Sequence, residues 1–365
     1  MAETIRACQR EDIPTVAGMF SRVFLKQKRP PAGGLVRYFD ELVFDGELHH
    51  GEARSRVFVD TTGQVRGFIG VWPRPMLLQG RSIEAAAAGS LMVERPERHP
   101  TAGARLLRAF LTGPQDLSFS ETSNAVSQRM WQKAGGERLT ATSVDWLRIL
   151  HLAGLATHIA GSAFAPAGWL SPLAKIADRV IEARSKHQLL SIPGGDDFTD
   201  ADATADEISR VIGDLSQSYT LRPDWQMPDL PALMAHAETK ERFGPIHRRI
   251  VFDRSGAPVG CYLYHGQPGS IGRVLQVMAR PEAVGQSIDS LLRHAAALGC
   301  VGVRGRSEFD TLDPLIVRGC LLFHASAMMV HARDKSLLAE VRNARSMLTG
   351  LAGESWTRLI GGTFV

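Results

Sequence analysis

The segment from Val93 to Leu107 constrains the fold most, because it joins a strand pattern to a helix pattern through a short loop. The strand pattern covers residues 83–93, and helical spacing of apolar residues follows over residues 103–111. Backbone amides that converge before a helix start form a site for a phosphate group, and Arg98 adds a full positive charge. The segment therefore predicts a strand, a phosphate-binding loop and a helix, in that order.

The loop contains neither Gly-x-x-x-x-Gly-Lys nor Gly-x-Gly-x-x-Gly. Its spacing resembles that of the GNAT superfamily of acyl-CoA N-acyltransferases. In that family a strand ends in Val, an Arg or Gln follows five residues later, and a glycine turn then lies on the pyrophosphate of coenzyme A. Val93, Arg98 and Gly103 match three of these positions, whereas Thr101 replaces the first glycine and Arg95 replaces a usual proline.

The resemblance implies a set of residues that bind acetyl-CoA or another acyl-CoA as co-substrate. Asn124, which follows the next predicted strand, matches the family's Asn that binds the pantetheine arm. The residues expected to bind the coenzyme are Met92, Val93, Arg98, His99, Thr101, Ala102, Gly103, Ala104, Asn124 and Ser127. A backbone N–H of Met92 or Val93 is expected to hold the oxyanion.

Three side chains are candidates for the proton transfers. The family often has a tyrosine acid seven residues after the Asn, but here that position is Trp131, whose indole is a poor acid. A carboxylate can act as base, and Glu84 and Glu121 are the candidates near the predicted strands. For both glutamates, a solvated carboxylate at a strand end is the competing interpretation.

The length of 365 residues favours two domains. The patterns predict an α+β (mixed α/β) fold with two GNAT-like domains, each a mostly antiparallel central sheet flanked by helices. The expected boundaries are residues 1–150, a helical linker over 151–195, and a degenerate repeat of the first domain over 196–365. The strand over residues 142–150 is expected to close the first sheet, and the strand over 328–332 is expected in the second.

The second repeat lacks the loop chemistry, because its glycine turn is missing. The second domain is therefore expected to shape the acceptor site or only to support the first. Arg304, Arg306 and Glu308 alternate along a predicted strand, where they are candidates for binding an anionic or sugar acceptor. An exposed, charged strand end is the alternative.

Composition narrows the class of protein. The net charge of +4 and the separated cysteines indicate no nucleic-acid partner, no metal site and no disulfide framework. No signal peptide or membrane-spanning stretch is evident, so a cytoplasmic location is expected.

The sequence thus predicts an N-acyltransferase, most simply an N-acetyltransferase, that transfers an acyl group from coenzyme A to an amine of a small molecule or sugar. One alternative is a non-catalytic acyl-CoA-binding or scaffold protein, and another is a Fem-like transferase of aminoacyl groups. The acceptor and the oligomeric state are not specified by the sequence.

Overall fold

The computed structural model describes residues 2–44, 51–151, 197–226 and 228–365, so the predicted linker over 151–195 lies outside the described residues except for His151. The helices are α1 (Ile13–Val23), α2 (Gly33–Phe44), α3 (Ala102–Leu111), α4 (Ala125–Lys133), α5 (Ala205–Ser216), α6 (Asp229–Glu238), α7 (Val284–Ala297), α8 (Leu312–Val317) and α9 (Lys335–Asn343). The strands are β1 (Thr4–Ala7), β2 (Arg56–Val59), β3 (Val65–Leu78), β4 (Arg81–Val93), β5 (Leu117–Ser123), β6 (Glu137–Arg138), β7 (Asp145–Ile149), β8 (Thr199–Asp202), β9 (Leu221–Pro223), β10 (Ile246–Phe252), β11 (Pro258–His265), β12 (Ile271–Ala279), β13 (Gly302–Arg306), β14 (Leu321–Phe323) and β15 (Ala327–Ala332).

These strands form two sheets that have the same arrangement of parallel and antiparallel neighbours. The first sheet runs β1-β2-β3-β4-β5-β15-β6, with β9 paired to β3, and the second runs β8-β10-β11-β12-β13-β7-β14. The β4–β5 and β12–β13 pairs are parallel, whereas the other neighbouring pairs are antiparallel. The predicted mixed α/β class with two mostly antiparallel sheets is confirmed.

The sixth strand of each sheet comes from the other half of the chain. β7 pairs with β13 and β14 in the second sheet, and β15 pairs with β5 and β6 in the first. The expectations that residues 142–150 close the first sheet and that residues 328–332 belong to the second were therefore wrong. Period-two alternation identifies a strand but carries no information about its partner, so the sequence could not reveal the exchange.

Side-chain contacts fix β7 in the second sheet. The Trp146 ring lies against Gly305 of β13, where a Cβ would collide with it, and Trp146 Nε1 donates to the Arg306 carbonyl at 3.2 Å. Asp145 at the start of β7 forms ion pairs with Arg304 at 3.2 Å and Arg306 at 3.5 Å. The exchange is therefore held by packing and by charge.

One hydrophobic cluster joins the two sheets. It includes Trp72 of β3 and Phe119 of β5 from the first sheet, and Leu263 of β11 from the second. The segment 344–357, which follows α9, contributes Met347 and Trp356 to the same cluster, and both side chains are fully buried. We call residues 344–357 the C-terminal segment, and it packs between the sheets.

Because each half supplies a strand to the other, we expect neither half to fold alone. Residues 1–150, expressed separately, lack β15 and leave the β5 edge and the β7 strand without partners. We expect no cooperative thermal transition by circular dichroism, and aggregation in size-exclusion chromatography. The full chain is the control, and a cooperatively folding, monomeric fragment would contradict the exchange.

Candidate functional site

The first sheet opens between β4 and β5. These parallel strands pair only over Ala85–Leu117, Ala86–Ser118 and Ala87–Phe119, although β4 runs on to Val93 and β5 to Ser123. Beyond the pairs, the facing edges of both strands have no strand partner within the described residues. We call this opening the β4–β5 gap.

A β-bulge lies in β4 at the gap. Phe68 pairs with Met92 and Gly70 pairs with Gly89, so a single residue of β3 faces both Ser90 and Leu91. Ser90 has a positive φ of 52°, a backbone conformation that L residues seldom adopt. The bulge bends β4 where it leaves β5.

The backbone beyond the bulge directs one amide into the gap. Glu94 N donates to the Arg66 carbonyl on the β3 side at 2.7 Å. Alternate amides of a strand point to opposite sides, so the Val93 N–H points away from β3 and the Met92 N–H towards it. Of the two amides considered for the oxyanion, Val93 therefore has the suitable direction.

The loop from Glu94 to Thr101 joins β4 to α3, and this confirms the predicted strand–loop–helix order. Its turns use two amides, since Arg98 N donates to the Arg95 carbonyl and Ala102 N to the His99 carbonyl. Thr101 precedes α3 and forms no side-chain cap. In the described structure the amides of Gly103 and Ala104 have no backbone acceptor, so the start of α3 presents unsatisfied donors.

The side chains of the loop differ in exposure. Arg98 and Thr101 are exposed, whereas Ala102 is buried beneath the loop. His99 is half-buried, packs against Phe58 at 5.5 Å between ring centroids, and lies 3.6 Å from a carboxylate oxygen of Glu3. Among the side chains of this loop that were predicted to bind the coenzyme, Arg98 therefore carries the positive charge that is exposed to solvent.

Asn124 and Ser127 lie across the gap at the start of α4. The Asn124 side chain caps the helix by accepting from Val126 N and Ser127 N, each at 3.0 Å. Ser127 Oγ lies 3.4 Å from Ser123 Oγ at the end of β5. The capping role uses Asn124 Oδ1, so its side-chain NH₂ is the group left for a ligand.

Two of the predicted catalytic residues lie in unsuitable positions. Trp131 is 1% exposed and packs edge-on against Phe110 in a hydrophobic cluster under α3, so it is a core residue. Glu84 is exposed, and it lies nine residues before Val93, about 30 Å away along β4. Glu84 is therefore far from the end of β4 where the oxyanion was expected, and the Trp131 indole is used in core packing.

Glu121, the other predicted base, binds the C-terminal segment. Its carboxylate accepts from Gly350 N at 3.1 Å, from Glu354 N and Ser355 N at 3.0 Å each, and from Ser355 Oγ at 2.7 Å. The side chain is 3% exposed. These four hydrogen bonds attach the C-terminal segment to β5.

The same contact brings in a carboxylate that sequence reasoning missed. Glu354 Oε1 accepts from Thr122 N at 3.0 Å and from Thr122 Oγ1 at 2.5 Å, while Oε2 lies against Gly89 of β4. Glu354 therefore bridges the β4–β5 gap. Burial raises the pKa of Glu354 to about 7, and the negative charge of Glu121 adds to the effect.

Glu308, after β13, is a third buried carboxylate. It accepts from Thr349 Oγ1 of the C-terminal segment and, at 3.4 Å, from Gln276 Nε2 of β12. Burial, with the charge of Glu121, raises the pKa of Glu308 to about 8. These contacts place Glu308 inside the protein and not on an exposed acceptor surface.

The two predicted acceptor-binding arginines also have internal partners. Besides pairing with Asp145, Arg304 stacks on the Phe323 ring at 5.0 Å. Arg306 donates to the carbonyls of Glu121 at 2.8 Å and Thr142 at 3.3 Å. Arg304 is therefore held by partners within the second sheet, whereas Arg306 reaches across to β5 of the first sheet, so neither residue is a free charge on an exposed strand end or an acceptor surface.

Lys240 fixes the end of the C-terminal segment. Its ammonium group donates to the carbonyls of Ser355, of Thr357 at 2.7 Å and of Ile360 at 2.9 Å. Burial lowers the pKa of Lys240 to about 7, and Glu121 opposes this shift.

Little in the sequence could have identified Glu354. It lies in Leu351-Ala-Gly-Glu-Ser-Trp, a stretch with no helix or strand periodicity and no resemblance to the family's motifs. One usable signal was a lone carboxylate among glycine and apolar residues. Its position depends on a contact with β5, which is more than 200 residues away in the chain.

No cluster of His, Cys, Asp or Glu among the described residues is arranged to hold a metal ion. No helix within the described ranges is both long and apolar enough to cross a membrane.

No protein-family model and no curated protein matches this sequence. Solved structures do match. A conserved protein from Enterococcus faecalis V583, described as a probable N-acyltransferase, superposes with a TM-score of 0.58 at 11% identity, covering 91% of this chain and 73% of that one. The chain has a GNAT-like fold.

Two GCN5-related N-acetyltransferases support the same conclusion. The protein from Kribbella flavida gives a TM-score of 0.54 at 15% identity, covering 90% of this chain and 71% of its own. The protein from Anabaena variabilis ATCC 29413 gives 0.56 at 13% identity, covering 91% and 73%. In this GNAT-like fold the β4–β5 gap, the loop before α3 and Glu354 form the candidate site.

The contact between Glu354 and β4 can be tested at Gly89. A Cβ at this position would collide with Glu354 Oε2 and with the Trp72 ring, so Gly89→Ala is expected to destabilise the fold by about 1–3 kcal/mol. Gly213→Ala is the control, because a Cβ there meets nothing within 4 Å in helix α5, and we expect it to stabilise by up to about 1 kcal/mol. Urea unfolding measures both, and a neutral Gly89→Ala would contradict the contact.

Proposed function

We propose that this chain is an acyl-CoA-dependent N-acyltransferase that acylates the amine of a small molecule. The observation that carries the proposal is the β4–β5 gap, which has unsatisfied helix donors at one end and a buried carboxylate across it. The general transferase class agrees with the N-acetyltransferases of similar fold. Four free, buried cysteines fit a cytoplasmic location.

The coenzyme fits the loop side of the gap. The amides at the start of α3 and the exposed Arg98 suit a diphosphate, since both supply positive charge to one region. The half-buried Leu91 and the exposed Val126 suit the thin pantetheine arm on either side of the opening. Asn124 and Ser127 lie beside Val126 at the start of α4, on the β5 side of the opening.

Glu354 is our candidate for the base, in place of Glu84 and Glu121. An amine attacks only when it is neutral, so a carboxylate that titrates near pH 7 suits the removal of its proton. Thr122 holds Oε1, and Thr122 is itself exposed, so the buried Glu354 lies one residue contact below the surface. Glu121 is instead a positioning residue, because its hydrogen bonds hold the peptide on either side of Glu354.

The reaction divides between these groups. The acyl-CoA supplies an activated thioester carbon and a thiolate leaving group. The Val93 N–H stabilises the negative charge on the carbonyl oxygen, and Glu354 accepts the proton of the attacking amine. A thiol is more acidic than an amine or an alcohol and leaves readily as its anion, so the buried Trp131 is not needed as an acid.

A non-catalytic acyl-CoA-binding protein is the second candidate. The core position of Trp131 favours it, because the residue in the family's usual acid position cannot reach a thiolate. Release of coenzyme A thiol during incubation with a panel of amines separates the two. Thiol release that depends on the amine supports transfer, and binding without release supports the second candidate.

Reversal of the charge at Arg98 tests the coenzyme side. We expect Arg98→Glu to weaken acetyl-CoA binding by about ten- to a hundred-fold in isothermal titration, because it replaces a charged donor with a carboxylate. Arg108→Glu makes the same change in net charge near the far end of α3, on an exposed side chain. Equal affinities of the two variants would contradict the assigned loop.

The pH dependence tests the base. The raised pKa keeps Glu354 protonated below about pH 7, so kcat/KM should rise with pH and level off above that value. Glu354→Gln should remove this limb and lower kcat by about a hundred-fold or more. Glu84→Gln should retain both the rise of kcat/KM with pH and the rate. Loss of that rise in Glu84→Gln would favour Glu84 as the base.

A further inference from the structure

Arg74 of β3 is a buried cation that lies over the Trp356 ring but leaves two of its nitrogens without hydrogen-bond partners among the described residues. It is 5% exposed, and its Nε and Nη2 atoms have no hydrogen-bond partner within the described parts of the chain. A buried donor left without a partner is costly, and a buried charge more so. Burial lowers the pKa of Arg74 to about 10, and the nearby Asp229 opposes this only in part.

The unsatisfied atoms form one edge of the guanidinium group. Nε and Nη2 lie side by side, so their N–H bonds match the two oxygens of one carboxylate. The face of the group is used differently, since its central carbon lies 5.2 Å from the Trp356 ring centroid. This cation–π contact engages the guanidinium through Trp356 and leaves the Nε and Nη2 edge available to a ligand.

A second unsatisfied donor lies on the same strand face. Trp72 precedes Arg74 by two residues, so both side chains point to the same side of β3. Trp72 is 2% exposed, and its Nε1 also has no partner among the described residues. Buried polar groups in proteins are nearly always hydrogen-bonded to protein, ligand or water, so these two donors on one strand face are available to a bound molecule.

This face adjoins the candidate base. The Trp72 ring and Glu354 Oε2 both lie against Gly89, and Trp356, beneath Arg74, follows Glu354 by two residues. Trp72 and Glu354 therefore meet at Gly89, and Trp356 connects Arg74 to the segment that carries Glu354.

We propose that Arg74, with Trp72, binds the carboxylate of the acyl acceptor, so that the acceptor is an amino-carboxylate and not a simple amine. This inference rests on the proposed N-acyltransfer and names its substrate class. The acceptor amine lies at Glu354, and its carboxylate takes the Nε and Nη2 donors of Arg74 and the Nε1 donor of Trp72.

Matched acceptors test the substrate class. Amine-dependent release of coenzyme A thiol is measured with phenylalanine against phenethylamine, and with ε-aminocaproate against pentylamine. We expect kcat/KM to be at least about ten-fold higher for the carboxylate in one of the pairs. Arg74→Met should remove this preference by lowering kcat/KM for the carboxylate to about the value for the matched simple amine. Arg74→Lys, which keeps the charge but loses the paired donors, should retain only part of it.

A binding measurement separates this inference from the proposed function. Titration of N-acetylphenylalanine and N-acetylphenethylamine without coenzyme A should show a carboxylate preference in the wild type, a weaker one in Trp72→Phe and none in Arg74→Met. Thiol release without such a preference contradicts the Arg74 site alone. Failure of every amine to release thiol contradicts N-acyltransfer alone. If phosphoethanolamine binds more tightly than phenylalanine and ε-aminocaproate do, the assignment of a carboxylate to Arg74 is overturned.

Stability distinguishes a ligand site from a structural one. Removal of an unpaired buried charge should leave the urea midpoint of Arg74→Met equal to or above that of the wild type. A lower midpoint means that the guanidinium supports the fold, and it overturns the proposal.

Discussion

The carboxylate of Glu121 is the interaction on which the candidate site depends. It joins β5 of the first sheet to the backbone of the C-terminal segment through four hydrogen bonds, and the peptide that it holds contains Glu354. Lys240 fixes the following residues through their carbonyls. An irregular stretch of chain with no helix or strand periodicity is thereby given one position between two sheets, and a buried carboxylate is placed at the gap.

The exchange of β7 and β15 gives this arrangement its rigidity. Each sheet contains a strand from the other half of the chain, and Asp145 of β7 forms ion pairs with both Arg304 and Arg306. Arg306 in turn donates to the carbonyl of Glu121. The second half of the chain therefore has a structural role at the site, although it lacks a coenzyme loop of its own.

Local patterns in the sequence predicted the local structure well. The alternation up to Val93 and the helical spacing after Gly103 gave the strand, loop and helix in their observed order. Such patterns could not predict long-range partners. Neither the sheet to which β7 belongs nor the contact between Thr122 and Glu354 produces a periodic pattern in the sequence. The same limit explains why Glu121 was considered a base: its position after a strand was visible, but its hydrogen-bond partners, about 230 residues later, were not.

A crystal structure of the full chain with bound coenzyme A tests the central claim most directly. The account predicts the diphosphate on the amides at the start of α3 beside Arg98, and the thiol in the β4–β5 gap near the Val93 amide and Glu354. Coenzyme A bound elsewhere, with none of it in the β4–β5 gap, would contradict it.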